Sequence, residues 1–129
     1  MVIVDTSVII DHLRRSAEDS VLIKLFENHA GQIFAVSVVT VQELYEGRST
    51  RDEMKENRLL ATLGSFEILP YNAEIAKMAG KIARDLANPI DFADAAIAAT
   101  VIANNGELFT LNEKHFKDIS GLELMDFKK

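Results

Sequence analysis

The chain has 129 residues and a mass of 14.3 kDa, which suits one domain whose core is large enough to fold without covalent staples. Cysteine is absent, which excludes disulfides and thiolate metal sites and is typical of reducing compartments. The N-terminus lacks the pattern of a signal peptide, and the longest apolar stretch, residues 95–103, is too short to cross a bilayer. We therefore expect a single cytoplasmic domain over residues 1–129, with no membrane contact.

The net charge of −6 argues against nonspecific coating of nucleic acid. It does not exclude an enzyme that acts on nucleic acid, because acids clustered at a metal site inflate the negative count. Local basic pairs remain available for such a role, although a solvated surface also explains each of them. They are Arg14 with Arg15, Arg48 with Arg51, and Lys114 with Lys117.

The first strand is predicted at residues 2–4, an unbroken apolar run that ends at Asp5. Such a run without alternation is typical of a strand buried on both faces, as in a parallel sheet covered by helices. At the carboxyl end of a central strand, Asp5 would face the crevice where open α/β sheets bind ligands. Thr6 or Ser7 is expected to cap the next helix. Alternatively, Asp5 is only an acid at the positive end of a helix dipole.

The rest of the chain alternates helical and extended patterns. Further strands are predicted at residues 33–36, 66–69, 108–111 and 122–127. Helices are predicted at residues 6–15, 37–47 and 91–104, with a helical turn at 112–117. A further helix is predicted to begin after a capping box of Ser16 and Asp19, another to include Leu59 to Leu63, and another to begin after Asn72. The alternation predicts an α/β fold with a mostly parallel sheet.

Three acids fall near junctions between a strand and a helix. Asp5 ends the first strand, Glu43 lies in the helix after the second, and Asp94 begins the alanine-rich helix, one turn after Asp91. Because parallel strands bring their carboxyl ends to one edge, these side chains could converge. Carboxylates without His or Cys companions favour Mg²⁺ or Mn²⁺. Such ions activate water and stabilise in-line displacement at phosphorus, which suggests phosphodiester hydrolysis.

Each acid also has a purely structural explanation. Thr40 and Glu43 have the spacing of a capping box, and Asp91 is in the position of an N-cap. Asp94 would place a favourable negative charge in the first turn of its helix. Taken together, the acids favour a metal site, since buried carboxylates are costly unless something neutralises them.

Four stretches resemble, in order and spacing, the motifs of PIN-domain ribonucleases, and specifically those of the VapC-type toxins of toxin–antitoxin pairs. They are VDTSVIID (4–11), SVVTVQELYEG (37–47), DFADAAIAATVIANNG (91–106) and LFTLNEKHF (108–116). The resemblance covers essentially the whole chain. It implies a three-layer α/β/α sandwich around a five-stranded, mostly parallel sheet, with an acidic pocket for Mg²⁺ or Mn²⁺.

The resemblance also implies roles for individual residues. Asp5, Glu43 and Asp94 carry over as the catalytic, metal-binding acids, and Asp91 as an auxiliary acid. Residues that match the polar elements beside the pocket are Ser7, Thr110 and Asn112.

The sequence departs from the family pattern at His115, where many members carry an acid three residues after the asparagine. A neutral imidazole could bind a metal or orient a water there. It could equally be a structural residue packed beside Phe116. The departure puts a second metal ion in question rather than the first.

The leading hypothesis is a metal-dependent endoribonuclease toxin that forms a homodimer and is neutralised by a small VapB-like antitoxin. The family precedent is an antitoxin that lays a helix in an apolar groove and brings a basic side chain to the acidic pocket. Alternatives are a housekeeping PIN nuclease of RNA processing or decay, and an inactive PIN scaffold that binds without cutting. A haloacid-dehalogenase-type phosphatase is set aside, because Ser7 stands where that chemistry requires a second aspartate.

Overall fold

The computed structural model describes residues 1–15 and 17–126. Within them the strands are β1 (Val2–Val4), β2 (Phe34–Ser37), β3 (Glu67–Leu69), β4 (Glu107–Phe109) and β5 (Glu123–Leu124). The α-helices are α1 (Thr6–Arg14), α2 (Val21–Asn28), α3 (Val38–Glu46), α4 (Glu53–Leu63), α5 (Ala73–Asp85) and α6 (Phe92–Ala103). Short 3₁₀ turns span Ala17–Asp19, Arg48–Arg51 and Glu113–His115.

The strands form one sheet in the order β3-β2-β1-β4-β5, and every neighbouring pair is parallel. The predicted parallel α/β sheet is therefore confirmed. β1 lies in the middle of the sheet, as its fully buried apolar run predicts. The carboxyl end of β1 consequently opens at the centre of one sheet edge, between the ends of β2 and β4.

Two apolar layers cover the sheet, since successive side chains of a strand point to opposite faces. Val2 and Val4 pack with buried residues of α1, α2 and α4 on one face. Ile3 packs on the other face against α6, whose small residues pack closely against α5. The arrangement is the expected three-layer α/β/α sandwich. α3 contacts both α1 and α6, so it joins the two helical layers beside the end of β1.

The structure corrects the expected start of α1. Neither Thr6 nor Ser7 caps this helix, because Asp5 is the N-cap and its side chain accepts the backbone N–H of Ser7. A carboxylate at this position satisfies a free helix amide and faces the positive end of the helix dipole. Asp5 thus has a structural role in addition to its predicted chemical one.

Other helix starts are partly as expected. Asn72 caps α5 through its side-chain oxygen as expected, whereas the cap of α3 is Ser37, which was predicted only as the start of that helix. The cap of α2 is Ser20, whose hydroxyl accepts the N–H of Ile23, so α2 begins later than the Ser16–Asp19 capping box predicts. Ser16 itself lies outside the described residues.

Strand boundaries differ from the expected ones by one to three residues. β2 ends at Ser37 rather than Val36, and β4 ends at Phe109, two residues before Leu111. β5 is limited to Glu123–Leu124, and Phe127 at the end of its predicted range lies outside the described residues. In the part of the chain that the structure describes, no helix combines the length and apolar character needed to cross a membrane.

Candidate metal-binding active site

Asp5 lies at the centre of the acidic site and is only 4% exposed. One of its carboxylate oxygens, Oδ1, accepts hydrogen bonds from the backbone N–H and the hydroxyl of Ser7. The other, Oδ2, accepts the hydroxyl of Thr110 at 2.7 Å. Each hydroxyl also accepts a hydrogen bond from the backbone. The N–H of Leu111 donates to the hydroxyl of Ser7 at 3.2 Å, and the N–H of Asn112 donates to that of Thr110 at 2.9 Å. Since a hydroxyl carries one proton, these contacts direct both protons at Asp5.

Burial raises the pKa of Asp5, and the hydrogen bonds from Ser7 and Thr110 oppose this shift without cancelling it. No ion pair to Asp5 occurs among residues 1–15 and 17–126. The ionised carboxylate is therefore held by neutral donors, and a positive charge placed beside it would be strongly favoured.

Glu43 lies in α3, and a hydroxyl of α1 holds its carboxylate. Thr6 Oγ1 is 2.5 Å from Glu43 Oε1 and 3.1 Å from Thr40 Oγ1. Because the single hydroxyl proton of Thr6 goes to the carboxylate, Thr40 donates to Thr6. The Thr40–Glu43 capping box is therefore wrong: Ser37 caps α3, and Glu43 points away from the helix amides toward α1.

Asp94 lies in the first turn of α6, and its side chain is 19% exposed. Its Oδ2 is 3.2 Å from Nδ1 of His115. Burial raises the pKa of Asp94; the charge of His115 opposes this, while the charges of Asp91, Asp5 and Glu43 raise the pKa further. The four acids are thus close enough to interact electrostatically at the central sheet edge.

The remaining predicted residues lie at the rim of this region. Asp91 holds the N-cap position of α6, but its exposed side chain makes no capping hydrogen bond. Asn112 is exposed at the start of the 3₁₀ turn after β4. The side chain of His115 is 53% exposed, and its ring centroid lies 6.5 Å from that of Phe116. His115 is therefore an exposed rim residue that contacts both Asp94 and Phe116.

The acids share one region without forming a closed ligand cage. Among residues 1–15 and 17–126, no three His, Asp or Glu side chains converge closely enough to hold a metal ion. Each carboxylate instead has its own partner: Ser7 and Thr110 for Asp5, Thr6 for Glu43, and His115 for Asp94.

The donor set nevertheless suits a hard divalent cation, because the candidate ligands are carboxylate oxygens. Oδ2 of Asp5 accepts the single hydrogen bond from Thr110, which leaves it a lone pair for a cation. Oδ1 already accepts two hydrogen bonds from Ser7. Oδ2 is therefore the atom of Asp5 best suited to a metal.

Sequence reasoning missed Thr6 and Thr40 as parts of the site. Thr40 is fully buried, and the two hydroxyls come from residues 34 positions apart. The local pattern gives no signal for this pairing. It arises from the packing of α1 against α3, which brings the hydroxyls together beside Glu43.

Comparison with known proteins identifies the family of this chain. The PIN domain family model matches residues 2–122. Ribonuclease VapC1 of Methanocaldococcus jannaschii is 33% identical, over 97% of this chain and 87% of that protein. Ribonuclease VapC10 of Mycobacterium tuberculosis is 36% identical, over 90% of this chain and 86% of that protein.

Solved structures agree with the fold. The chain superposes on the crystal structure of VapBC2 from Rickettsia felis, bound to a promoter DNA fragment, with a TM-score of 0.83 and 24% identity, over 99% of this chain and 100% of that one. The TM-score is 0.85, with 22% identity, for DNA-bound VapBC from Salmonella typhimurium, over 97% of this chain and 96% of that one. By sequence and by fold, the chain belongs to the PIN domain family and is related to the VapC ribonucleases.

Proposed function

We propose that this protein is an endoribonuclease of the VapC type, which hydrolyses RNA phosphodiester bonds at the edge of the sheet where β1 ends. The observation that carries the proposal is Asp5: a buried carboxylate without an ion pair in the described residues, held by Ser7 and Thr110, with two further acids facing the same region. The relatives named ribonuclease VapC support the assignment of substrate and reaction.

Mg²⁺ or Mn²⁺ is the cofactor that this donor set favours, with Asp5, Glu43 and Asp94 as the residues that would hold it and Asp91 as an auxiliary acid. Such an ion would activate a water and offset the negative charge of the scissile phosphate. The chain's own contribution is positioning. Ser7 and Thr110 fix the plane of the Asp5 carboxylate, and the Thr40–Thr6 pair fixes that of Glu43.

The protein would be held inactive by a small VapB-like antitoxin, since the solved structures with this fold include VapBC complexes. A homodimer, as expected from the family pattern, belongs to the same proposal. Size-exclusion chromatography with light scattering, on the chain alone and co-expressed with its antitoxin, tests both statements.

The central test is RNA cleavage by the purified protein with Mg²⁺ or Mn²⁺. Asp5→Asn and Glu43→Gln are expected to reduce cleavage by at least about a hundredfold, because loss of a group that merely orients a metal ligand already costs about 10- to 100-fold. Glu74→Gln is a matched control, since Glu74 is an exposed acid on α5 paired with Lys77, and it is expected to cleave like the parent.

An Asp5→Asn protein that cleaves as fast as the parent would overturn the proposal. A parent protein that binds RNA but leaves it uncut with either ion would instead identify an inactive scaffold. Addition of a chelator to the active parent is expected to stop cleavage, which checks the metal requirement separately.

A further inference from the structure

Two clefts beside the acidic site meet at Arg14. The first, with a volume of about 460 Å³, lies between α1, α3 and α4 and is lined by Glu43 together with Arg14, Arg48, Lys55 and Arg58. The second, of about 590 Å³, includes Ser7 and Asn112 and is also lined by Arg14. Arg14 therefore lies between the part of the surface that contains Glu43 and the part next to Asp5.

One of these cations has a structural role. The guanidinium of Arg58 donates to the backbone carbonyls of Leu13, His12 and Arg15 at 2.7, 3.1 and 3.3 Å. These carbonyls lie at the carboxyl end of α1, where a cation satisfies free acceptors and faces the negative end of the dipole. Arg58 thus links α4 to α1, and its charge is largely committed to that contact.

The other cations of the first cleft are available to a ligand. Arg14, Arg48 and Lys55 are exposed, and none of them forms an ion pair within residues 1–15 and 17–126. Arg15, next to Arg14 in sequence, is instead paired with Asp11 at 2.6 Å. The cleft therefore gathers three unneutralised positive charges on a protein whose net charge is −6.

We propose that this basic cleft, defined by Arg14, Arg48 and Lys55, binds the backbone phosphates of single-stranded RNA on one side of the scissile bond. The proposal rests on the proposed function and extends it to the path of the substrate. The RNA strand runs from the basic cleft past Glu43 to Asp5, and Arg14 holds the phosphate nearest the acids.

Charge complementarity favours RNA as the occupant. A polyanion must approach carboxylates to be cleaved there, and cations along its path offset that repulsion. The partly exposed apolar residues Ile10 and Leu13, which also line the cleft, offer sugars and bases a surface without sequence-specific hydrogen bonds. The cleft is thus suited to holding the strand rather than to reading its sequence.

The experiment compares two sets of substitutions that each remove three positive charges and so lower the net charge by the same amount. The test variant is Arg14→Gln, Arg48→Gln and Lys55→Gln. The control is Lys77→Gln, Lys81→Gln and Arg84→Gln, three exposed cations of α5 that line neither cleft. Both are made with Asp5→Asn, and binding of a fluorescein-labelled single-stranded RNA is measured over a series of KCl concentrations without divalent ions.

The logarithm of the RNA association constant falls with log[KCl], and each phosphate that the protein neutralises accounts for about 0.7 of this slope. Because the test variant lacks three phosphate-binding cations, its slope is expected to be less steep by about 2. The control variant is expected to retain nearly the parent slope. Arg14→Gln alone is expected to change the slope by about 0.7, which keeps the test valid if the triple variant folds poorly.

Equal slopes in the two triple variants would overturn the proposal. It would also be overturned if the test variant bound RNA like the control variant but no longer retained a co-expressed antitoxin, because the cleft would then belong to the protein partner. Neither result affects the proposed function, which depends separately on the loss of cleavage in Asp5→Asn.

Discussion

The hydroxyl of Thr110 lies 2.7 Å from Oδ2 of Asp5, although the two residues are 105 positions apart in the chain. The contact follows from the parallel pairing of β1 with β4. In the same pairing, the N–H of Asp5 donates to the backbone carbonyl of Phe109 at 3.1 Å. The carboxylate thus follows β1, and the hydroxyl that orients it follows the adjacent strand β4. The carboxylate is positioned by the sheet itself rather than by a loop.

Replacement of Thr110 by valine removes this hydroxyl while keeping the shape of the side chain. The carboxylate of Asp5 then lacks one donor and the N–H of Asn112 lacks its acceptor, so we expect the free energy of unfolding to fall by about 1–3 kcal/mol. Cleavage is expected to fall as well, because Asp5 is less firmly oriented. Urea denaturation and RNA cleavage rates measure the two effects.

The matched control for Thr110→Val is Thr62→Val. The hydroxyl of Thr62 donates to the carbonyl of Arg58 within α4, away from the acids. This variant is expected to cleave RNA at the parent rate. Equal cleavage by Thr110→Val and the parent would show that the hydroxyl does not orient Asp5.

The raised pKa of Asp5 predicts a pH-dependent effect of Asp5→Asn on stability in the absence of divalent ions. Because burial makes the folded protein hold this proton more tightly than the unfolded chain does, ionisation of Asp5 destabilises the fold. The penalty is absent below the unfolded pKa, near 3.8, and complete above the raised folded pKa. Asp5→Asn removes it.

The unfolding free energy of Asp5→Asn relative to the parent is therefore expected to increase as the pH rises from about 4 toward 7. Denaturation curves at several pH values, with a chelator present, measure the difference. The same series with Asp52→Asn serves as a control, since Asp52 is an exposed N-cap outside the site. A relative stability that falls over this pH range would contradict the prediction.

His115→Ala tests the contact between the imidazole and Asp94. The charge of His115 lowers the pKa of Asp94, so its removal leaves the upward effects of burial and of the neighbouring acids less opposed. If cleavage requires ionised Asp94, the acid limb of the pH–rate profile is expected to move to higher pH. His29→Ala, at the end of α2, is the control and is expected to leave the profile unchanged. An unmoved acid limb in His115→Ala would mean that the imidazole does not influence Asp94 during catalysis.

Gly106→Ala tests the packing that fixes β1 in the sheet. A Cβ at residue 106 would lie 3.0 Å from Cδ1 of Ile3 and 3.1 Å from the backbone carbonyl oxygen of Met1. The backbone atom cannot move away without disturbing β1, so we expect a decrease of about 1–3 kcal/mol in the free energy of unfolding. Thermal and urea denaturation measure it.

Gly80→Ala is the matched control, because a Cβ at this exposed position of α5 would meet no heavy atom within 4 Å. Replacing a helical glycine by alanine is expected to add about 0.5–1 kcal/mol to the free energy of unfolding. Opposite signs for the two substitutions are therefore predicted. A neutral or stabilising Gly106→Ala would show that the start of β1 is more adaptable than its contacts indicate.

The sequence alone determined the order of the elements and the parallel sheet, because apolar periodicity and caps such as Asn72 are local properties. It also located Asp5 at the end of β1 and Glu43 in the helix after β2, but Asp94 lies at the start of α6, which follows α5 rather than a strand. The precise ends of the short strands depend on pairing with neighbouring strands, and local patterns miss them by one to three residues.

Only the tertiary structure decided which partner holds each carboxylate. The sequence indicated a capping box of Thr40 with Glu43, but Ser37 is the residue whose side chain accepts a free amide of α3. Thr40 turns instead toward Thr6, which leaves Glu43 facing the site. The two hydrogen bonds join residues that are 34 and 105 positions apart in the chain. Such bonds form when packing brings two polar groups together in a buried space, and no local sequence pattern specifies which groups will meet.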